Sequence, residues 1–435
     1  MTGAGPARIE ALHALLLVRG GETVAEALAK RTQLGQLSSA DRSLMTQIVY
    51  GVLRNQRYLD AWMAPFVRGE LEPVVREILR MGLFQLGFLD RVPAYAIVDA
   101  AVEQTKNVSP RATGMVNAIL RRAPHKKPQN LPLAVEFSHP DWLVQRWQDR
   151  FGNDTTRRIL TVNNEIPPVS VRVNTLRTSR DRVVDELIGE GIHAQRSQYV
   201  PEAIRISGSF WLEDVPAFQK GFITVQDESS MLATWVLDPH RGENIIDLTA
   251  GLGGKTGHIL ERTQGQISLS AVDVSLARLN LLKQNMARLG FAGQVTLKDA
   301  DARHFAREHS HEFDRVLLDA PCSNLGVLRR RSDARWKKQE EDLKAHQKVQ
   351  IELLEAAIRL ARPEGVIVYS TCSTEPEETF HVLENILSHH TNIHLEKVSP
   401  YLPSPAFEDF IVENNLLLRP GDLGMDGFFI ARLRT

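Results

Sequence analysis

Cysteine is nearly absent: the 435 residues hold two, Cys322 and Cys372. They stand fifty positions apart and in no metal-ligand spacing, so neither a zinc site nor a disulfide framework is supported, and no metal is expected. Charge of one sign is also missing. Fifty-two Lys and Arg against 53 Asp and Glu give a net charge of -1, which carries no global signal for nucleic acid. Long apolar runs are missing as well. The longest near the start, Ala11 to Val18, is too short to span a bilayer, and the pattern of a signal peptide is not found. With both thiols expected free, the expected compartment is a reducing cytoplasm, with no membrane partner. What remains is ordinary globular composition, 43% hydrophobic and 24% charged, at a length that suits two or three domains.

The stretch Ile245-Ile-Asp-Leu-Thr-Ala-Gly-Leu-Gly-Gly-Lys-Thr256 organises the rest. It opens apolar and closes glycine-rich, which predicts a buried strand, a tight turn and a helix start. Asp247 falls at the strand end. Gly251, Gly253 and Gly254 let backbone pass close to a ligand. A second strand is expected from Ile267 to Val272, ended by Asp273. An acidic residue at that distance is the ribose-hydroxyl position of a Rossmann-type site. By itself the loop admits several readings. Thr249 to Thr256 misses the P-loop pattern only at its first position, where Thr249 replaces glycine. The glycines are packed more tightly than an NAD fingerprint requires. A site for S-adenosylmethionine (SAM) is the third reading, and a glycine-rich turn without a ligand the fourth.

Taken in order, residues 1–130 read as wholly helical: Ile9, Leu12, Leu15 and Leu16 recur at helical spacing, Ser39 can cap the next helix, and Leu71 to Leu89 is periodic again. Pro93 is expected to start a further helix, and Gly114 to Leu120 leads into Arg121 and Arg122. Short connections predict an antiparallel bundle. Basic residues exceed acidic ones here by roughly six, which suits either a basic face or an ordinary solvated surface. Residues 124–131 read as a linker. Residues 131–225 read as a small α/β subdomain, with Trp142 and Trp147 as packing residues, a strand at Val169 to Thr175, and a helix capped by Ser179 that ends near Gly189. From 226 to 435 strands and helices alternate. Strands are expected near 245–248, 267–272, 294–297, 314–318 and 365–370, with helices such as Leu276–Leu289 and Lys338–Ala361 between them. That is a doubly wound parallel sheet, with its ligand at the carboxyl ends of the strands, and Gly427 to Leu433 is expected as a late strand that closes it.

Both cysteines fall at such ends, in Leu317-Leu-Asp-Ala-Pro-Cys-Ser323 and Tyr369-Ser-Thr-Cys-Ser-Thr374. A buried cysteine is usually a small hydrophobe. Two at neighbouring strand ends, and none elsewhere, point instead to thiolate chemistry. These motifs, with Gln226-Asp-Glu-Ser-Ser230 and Arg172-Val-Asn-Thr175, resemble the RsmB/Sun family of SAM-dependent RNA (cytosine-5) methyltransferases. Asp41 to Arg54 and Met115 to Arg122 resemble the NusB-type RNA-binding domain, so the resemblance covers nearly the whole chain. One departure is visible: the family's loop commonly reads Cys-Ala-Ala-Pro-Gly-Gly-Lys, and this one reads Thr249-Ala-Gly-Leu-Gly-Gly-Lys255.

The resemblance implies an all-α NusB-like front bundle, a small α/β subdomain, and a Rossmann-like class I SAM-dependent methyltransferase domain. It implies methylation of C5 of a cytosine in 16S rRNA, naked or in a partly assembled small subunit. The chemistry explains the cysteine, because C5 of cytosine is too electron-poor to attack a methyl donor until a thiolate adds at C6. Spacing leaves open which cysteine attacks. The resemblance assigns attack to Cys372, release to Cys322, and stabilisation of the activated ring at N3 to Asp319. It assigns SAM to Thr249, Ala250, Gly251, Leu252, Gly253, Gly254 and Lys255, with Asp273, Asp301 and Asp319. Asp273 suits the ribose and Asp301 the adenine amine, although Asp301 also fits a helix cap and Asp299 stands close by. Phosphate contacts are expected from Arg54, Arg121 and Arg122, and from Arg329, Arg330, Arg331 and Arg335 after the Pro-Cys loop; a solvated surface is the alternative. A P-loop ATPase would leave the cysteines unexplained, and a non-catalytic RNA-binding or assembly protein would not need them. Nothing suggests a second interface, so a monomer is expected.

Overall fold

The computed structural model describes residues 5–35, 37–90, 92–208 and 210–435. They form two compact units, each discontinuous or interrupted in sequence: residues up to Ile166 with Leu328–Lys338, and Pro167–Val327 with Gln339–Thr435.

The first unit is helical. Helices run over Pro6–Arg19, Val24–Gly35, Ser39–Arg54, Gln56–Met63, Pro73–Phe88, Ala94–Val108, Thr113–Arg122 and Asp141–Asn164. Local chemistry sets their starts. Pro6 and Pro73 occupy first-turn positions where a missing N–H costs nothing. Ser38, one residue before the expected cap, accepts from Asp41 N. The periodic apolar faces meet in one core that includes Leu15, Met45, Ile48, Leu59, Ile78 and Leu83. Trp62 is buried there, with its indole N–H donating to Ala123 O at 2.8 Å. Leu328–Lys338 completes this unit: Trp336 Nε1 donates to Leu53 O at 2.8 Å, and Lys337 Nζ to Glu22 O at 2.6 Å.

The second unit opens with β1 (Val169–Val173), β2 (His193–Arg196), β3 (Ala203–Ser207) and β4 (Ile223–Val225), an antiparallel sheet in the order β2-β3-β1-β4. The helix Arg180–Gly189, capped by Ser179, packs Val183, Val184 and Leu187 into the same core as Val171, Val173, Ile204 and Ile206.

The larger sheet follows: β5 (Asn244–Asp247), β6 (Ser268–Asp273), β7 (Val295–Asp299), β8 (Phe313–Asp319), β9 (Ala361–Thr371), β10 (His394–Glu396), β11 (Ile411–Val412), β12 (Asn415–Leu418) and β13 (Phe428–Arg434). Its order is β11-β12-β13-β9-β8-β5-β6-β7, with β10 beside β13. Alternate residues serve opposite faces: Ile245, Leu317, Val368 and Ile430 enter one core, and Ile246, Leu318, Ile367 and Phe429 the other. The helix Leu276–Leu289 has the expected bounds, and the helix expected over 338–361 spans Glu340–Leu360 behind a Gln339/Asp342 capping box.

The sheet is mixed, not wholly parallel as expected. β5 to β9 run parallel, whereas β13 lies antiparallel to β9, β12 and β10. Apolar runs such as Phe428 to Leu433 report burial on two faces and say nothing of direction. Chain order reverses at β5, which pairs with both β6 and β8. The carboxyl ends there flank the crevice of an open α/β sheet. No described helix is long and apolar enough to cross a membrane.

Candidate active site

The glycine loop is held from beneath. At the end of β5, Asp247 is buried and its Oδ2 accepts from Thr256 Oγ1 at 2.7 Å, which ties strand end to helix start. Burial pushes its carboxyl up to about 6. Ala250 N donates to Val272 O, Gly251 N to Asp273 Oδ2 and Gly253 N to Ala250 O, all at 2.9 Å. These amides are spent on the fold, and a P-loop would need such groups free for phosphate. Gly253 has φ 83°, and a Cβ there would meet Leu282 Cγ at 2.7 Å. No side chain fits that close approach without a shift.

Above the loop lies a cavity of about 370 Å³, lined among others by Thr249, Gly251, Asp273, Val274, Asp301 and Asp319. Asp273 keeps one oxygen on Gly251 N and the other on Ser275 N at 2.9 Å. Each carboxylate oxygen retains a lone pair for a ribose hydroxyl. Exposed Val274 beside it offers an apolar face to a purine. Asp301 lines the cavity and also caps the helix Ala302–Glu308, accepting from Arg303 N at 2.8 Å. The Arg303 guanidinium grips both its oxygens, and this hydrogen bonding holds Asp301 down near 2. A carboxylate pair, an apolar shelf and open space over Gly251 fit the ribose, adenine and methionyl parts of SAM.

At the far end of the cavity Asp319 closes β8. Its Oδ2 pairs with Lys255 Nζ at 2.6 Å and its Oδ1 accepts from Ser370 Oγ at 2.9 Å. Thr249 Oγ1 donates to Asp319 O at 2.8 Å. Lys255 thus reaches the carboxylate at the end of β8. Ser370, in β9, belongs to the strand-end motif Tyr369 to Thr374, and its pairing with Asp319 is visible only in the fold.

The two cysteines follow β8 and β9. Their sulfurs are 3.1 Å apart, with Cys322 buried and Cys372 partly so. Cys372 Sγ also lies 3.3 Å from Asn324 Oδ1, another residue that the sequence did not flag. Gly326 N donates to Cys372 O at 3.0 Å, and Gly427 N to Gly326 O at 2.8 Å, which locks the Pro-Cys loop between the ends of β9 and β13. The Cys372 thiol is pushed well above its ordinary value, first by its contact with Cys322 Sγ, then by burial, then by the charges of Cys322, Asp319 and Glu378. A thiol so placed is held protonated until something lowers or removes that field.

The arginines divide. Arg121 and Arg122 are exposed, Arg331 is exposed and Arg330 half-buried. Arg54, Arg329 and Arg335, expected on an RNA surface, are instead interior, with exposures of 7%, 4% and 0%. Arg335 donates to Arg54 O, Ser138 O, Asn163 O and Asn164 Oδ1 at 2.8–3.2 Å, and Arg54 donates to Arg329 O at 2.8 Å. Guanidinium groups suit this work, since one fork can satisfy several carbonyls at once. A basic run in sequence reads the same whether it is solvated or turned inward.

Comparison with known proteins gives a consistent picture. Residues 234–434 match the model of the 16S rRNA methyltransferase RsmB/F family, residues 6–124 the NusB family, and residues 139–212 the ferredoxin-like domain of RsmF/B-like methyltransferases. The chain is 31% identical to the probable ribosomal RNA small subunit methyltransferase B of Bacillus subtilis (strain 168), covering 98% of this chain and 97% of the relative. It is 34% identical to ribosomal RNA small subunit methyltransferase B of Pasteurella multocida (strain Pm70), covering 92% and 89%. Among solved structures, that of PH0851 superposes with a TM-score of 0.85 at 28% identity over 99% of both chains. NSun6 from Pyrococcus horikoshii with SFG, a SAM analogue, gives 0.59 at 25% identity over 68% of this chain and 98% of that one. With a cavity at the strand ends and relatives matched along nearly its whole length, this chain belongs to the RsmB/F family of SAM-dependent ribosomal RNA small subunit methyltransferases.

Proposed function

We propose that the enzyme methylates C5 of a cytosine in 16S rRNA through a covalent adduct on Cys372. The observation that carries this reading is the sulfur pair, 3.1 Å apart, beside Asp319 at the end of the SAM cavity. SAM supplies the electrophilic methyl group. Lys255, Asp273, Asp301 and the 249–255 loop hold it, and Asp319, anchored by Lys255 and Ser370, faces N3 of the target ring. The target base leaves its stack to reach the crevice. The Cys372 thiol gives up its proton to a base and the sulfur adds to C6, which makes C5 enamine-like; C5 then takes the methyl group as its bond to the SAM sulfur breaks and S-adenosylhomocysteine leaves. A base removes the C5 proton, and Cys322 assists release. The C5–C6 double bond then re-forms, the C6–sulfur bond breaks, and the Cys372 thiolate returns.

Phosphate contacts are proposed for Arg121, Arg122, Arg330 and Arg331. Segments 1–130, 131–225 and 226–435 are proposed as the RNA-binding, intermediate and catalytic domains.

The test combines SAM labelled in its methyl group with unmodified small-subunit rRNA, naked and in partly assembled particles. Parent, Cys372→Ala and Cys322→Ala proteins are then resolved on a denaturing gel. Label in 5-methylcytosine with the parent, none with Cys372→Ala, and a slow protein–RNA band with Cys322→Ala are expected. A normal rate from Cys372→Ala would overturn the assignment, and a band seen only when Cys322 is intact would exchange the two roles.

A further inference from the structure

Beneath the two sulfurs lies a carboxylate that the mechanism above does not use. Glu378 ends the short turn Pro376–Glu378 after β9 and has no exposed surface. Its Oε1 accepts from Ser323 N at 2.8 Å and Gln350 Nε2 at 3.2 Å. Its Oε2 accepts from Ser323 Oγ and from Ser373 Oγ, each at 2.5 Å. Ser323 directly follows Cys322 and Ser373 directly follows Cys372. One carboxylate thus grips the residue after each cysteine, across a separation of fifty positions in the chain. Gln350 reinforces the arrangement from the helix Glu340–Leu360 by donating also to Pro321 O at 2.9 Å, and Tyr369 Oη fixes the backbone of Glu378 itself at 2.7 Å.

The choice of residue is informative. All four contacts to the carboxylate come from hydroxyl, amide and carboxamide groups, and no cation pairs with it among the described residues. Burying a carboxylate without a counter-charge is costly, so such a group persists where its hydrogen-bond acceptors are needed in a fixed place. An acceptor with two oxygens is the one short group that can receive two hydroxyls and an amide at once. Its charge also works against ionisation of the neighbouring thiol.

We propose that Glu378 is a positioning residue of the methyl-transfer reaction, which fixes the spacing and aim of Cys322 and Cys372 by clamping Ser323 and Ser373. It touches no reacting atom, and its effect passes through the two serines. The inference rests on the covalent reading given above.

The experiment compares parent, Glu378→Gln, Ser323→Ala, Ser373→Ala and the combinations of Glu378→Gln with each serine change, after thermal melts have shown which are folded. Two readouts are taken. One is methyl transfer to rRNA at saturating and limiting SAM. The other is the pH profile of iodoacetamide alkylation of Cys372, read by mass spectrometry on RNA-free protein. Glu378→Gln is expected to lower kcat at least tenfold with KM for SAM within twofold, and to move the alkylation profile to lower pH. Combined with either serine change it is expected to lose less than the product of the single effects, because all act through one clamp. If Glu378→Gln does not fold, the two serine variants carry the same test, each lowering kcat with KM for SAM kept. A folded Glu378→Gln protein with parental kcat and an unmoved alkylation profile overturns the proposal. If the parent itself moves no methyl label, it is the covalent reading that fails, and the proposal, which rests on it, is overturned with it.

Discussion

Asp247 illustrates what burial does to a single residue. Its carboxyl rises from 3.8 to about 6 because water is excluded, while Thr256 donates to it. Between about pH 4 and pH 6 the native state holds a proton that the unfolded chain has released. Unfolding therefore releases that proton, and stability falls as pH rises through the window. Above about pH 6 the cost of the buried charge is fully present, at most about 3 kcal/mol by the size of the shift. Asp247→Asn keeps an acceptor for Thr256 and removes the charge. In urea melts, the variant is expected to gain on the parent between pH 5 and pH 7.5. An unchanged difference across that range would show that Asp247 stays ionised throughout. The sequence marks Asp247 by its place at a strand end. It gives no sign of Asn324 or Glu378, nor of the pairing of Ser370 with Asp319, since these partners lie 48 to 55 positions away and no local period encodes such pairings.

At the scale of elements, the Pro-Cys loop depends on one close backbone approach. A Cβ on Gly326 would lie 2.5 Å from Gly427 O and 2.8 Å from Cys372 O, both backbone atoms that cannot swing aside. Gly326→Ala must therefore displace the loop from β9 and β13. Misplacing a reacting group by about 1 Å can cost on the order of a hundredfold in rate. Methyl transfer is expected to fall by that order, with SAM affinity in calorimetry less affected, because Asp273 and Asp301 hold their part of the cavity at the ends of β6 and β7. Equal losses of rate and SAM affinity would mean that the displacement spreads into the sheet. Strand and helix positions were largely legible, because apolar periodicity and caps are local. The direction of β13 was not: its burial is the same either way, and only pairing with β9 decides it.

Across the whole molecule, arginines of similar sequence context do different work. Exposed Arg121 and Arg122 should behave as phosphate contacts. Replacing either by alanine is expected to weaken rRNA binding across sequences and to reduce the salt dependence by about one counterion each. Arg335 should behave as a piece of the core. Arg335→Ala leaves the carbonyls of Arg54, Ser138 and Asn163 without this donor. A buried carbonyl left unpaired costs about 1–3 kcal/mol, so the loss over these groups is expected to be several kcal/mol. Calorimetry should then show the transition of the helical unit lowered and that of the sheet-bearing unit kept. A variant with parental melting and a reduced salt slope would return Arg335 to the RNA-binding set. The order of segments was legible from composition and pattern. The return of Leu328–Lys338 to the helical unit was not, because four arginines in eleven residues look like a solvated loop until their partners are known.

That return has a consequence for synthesis. A chain made from its amino end can usually finish its first domain before the next has emerged. Here the helical unit waits for Trp336 and Arg335, which arrive only after β1 to β8 have been made. Until then the backbone carbonyls that those side chains cover stand open on the nascent chain. The helical unit is therefore complete only once Lys338 has been made, and no single cut in the gene yields it whole.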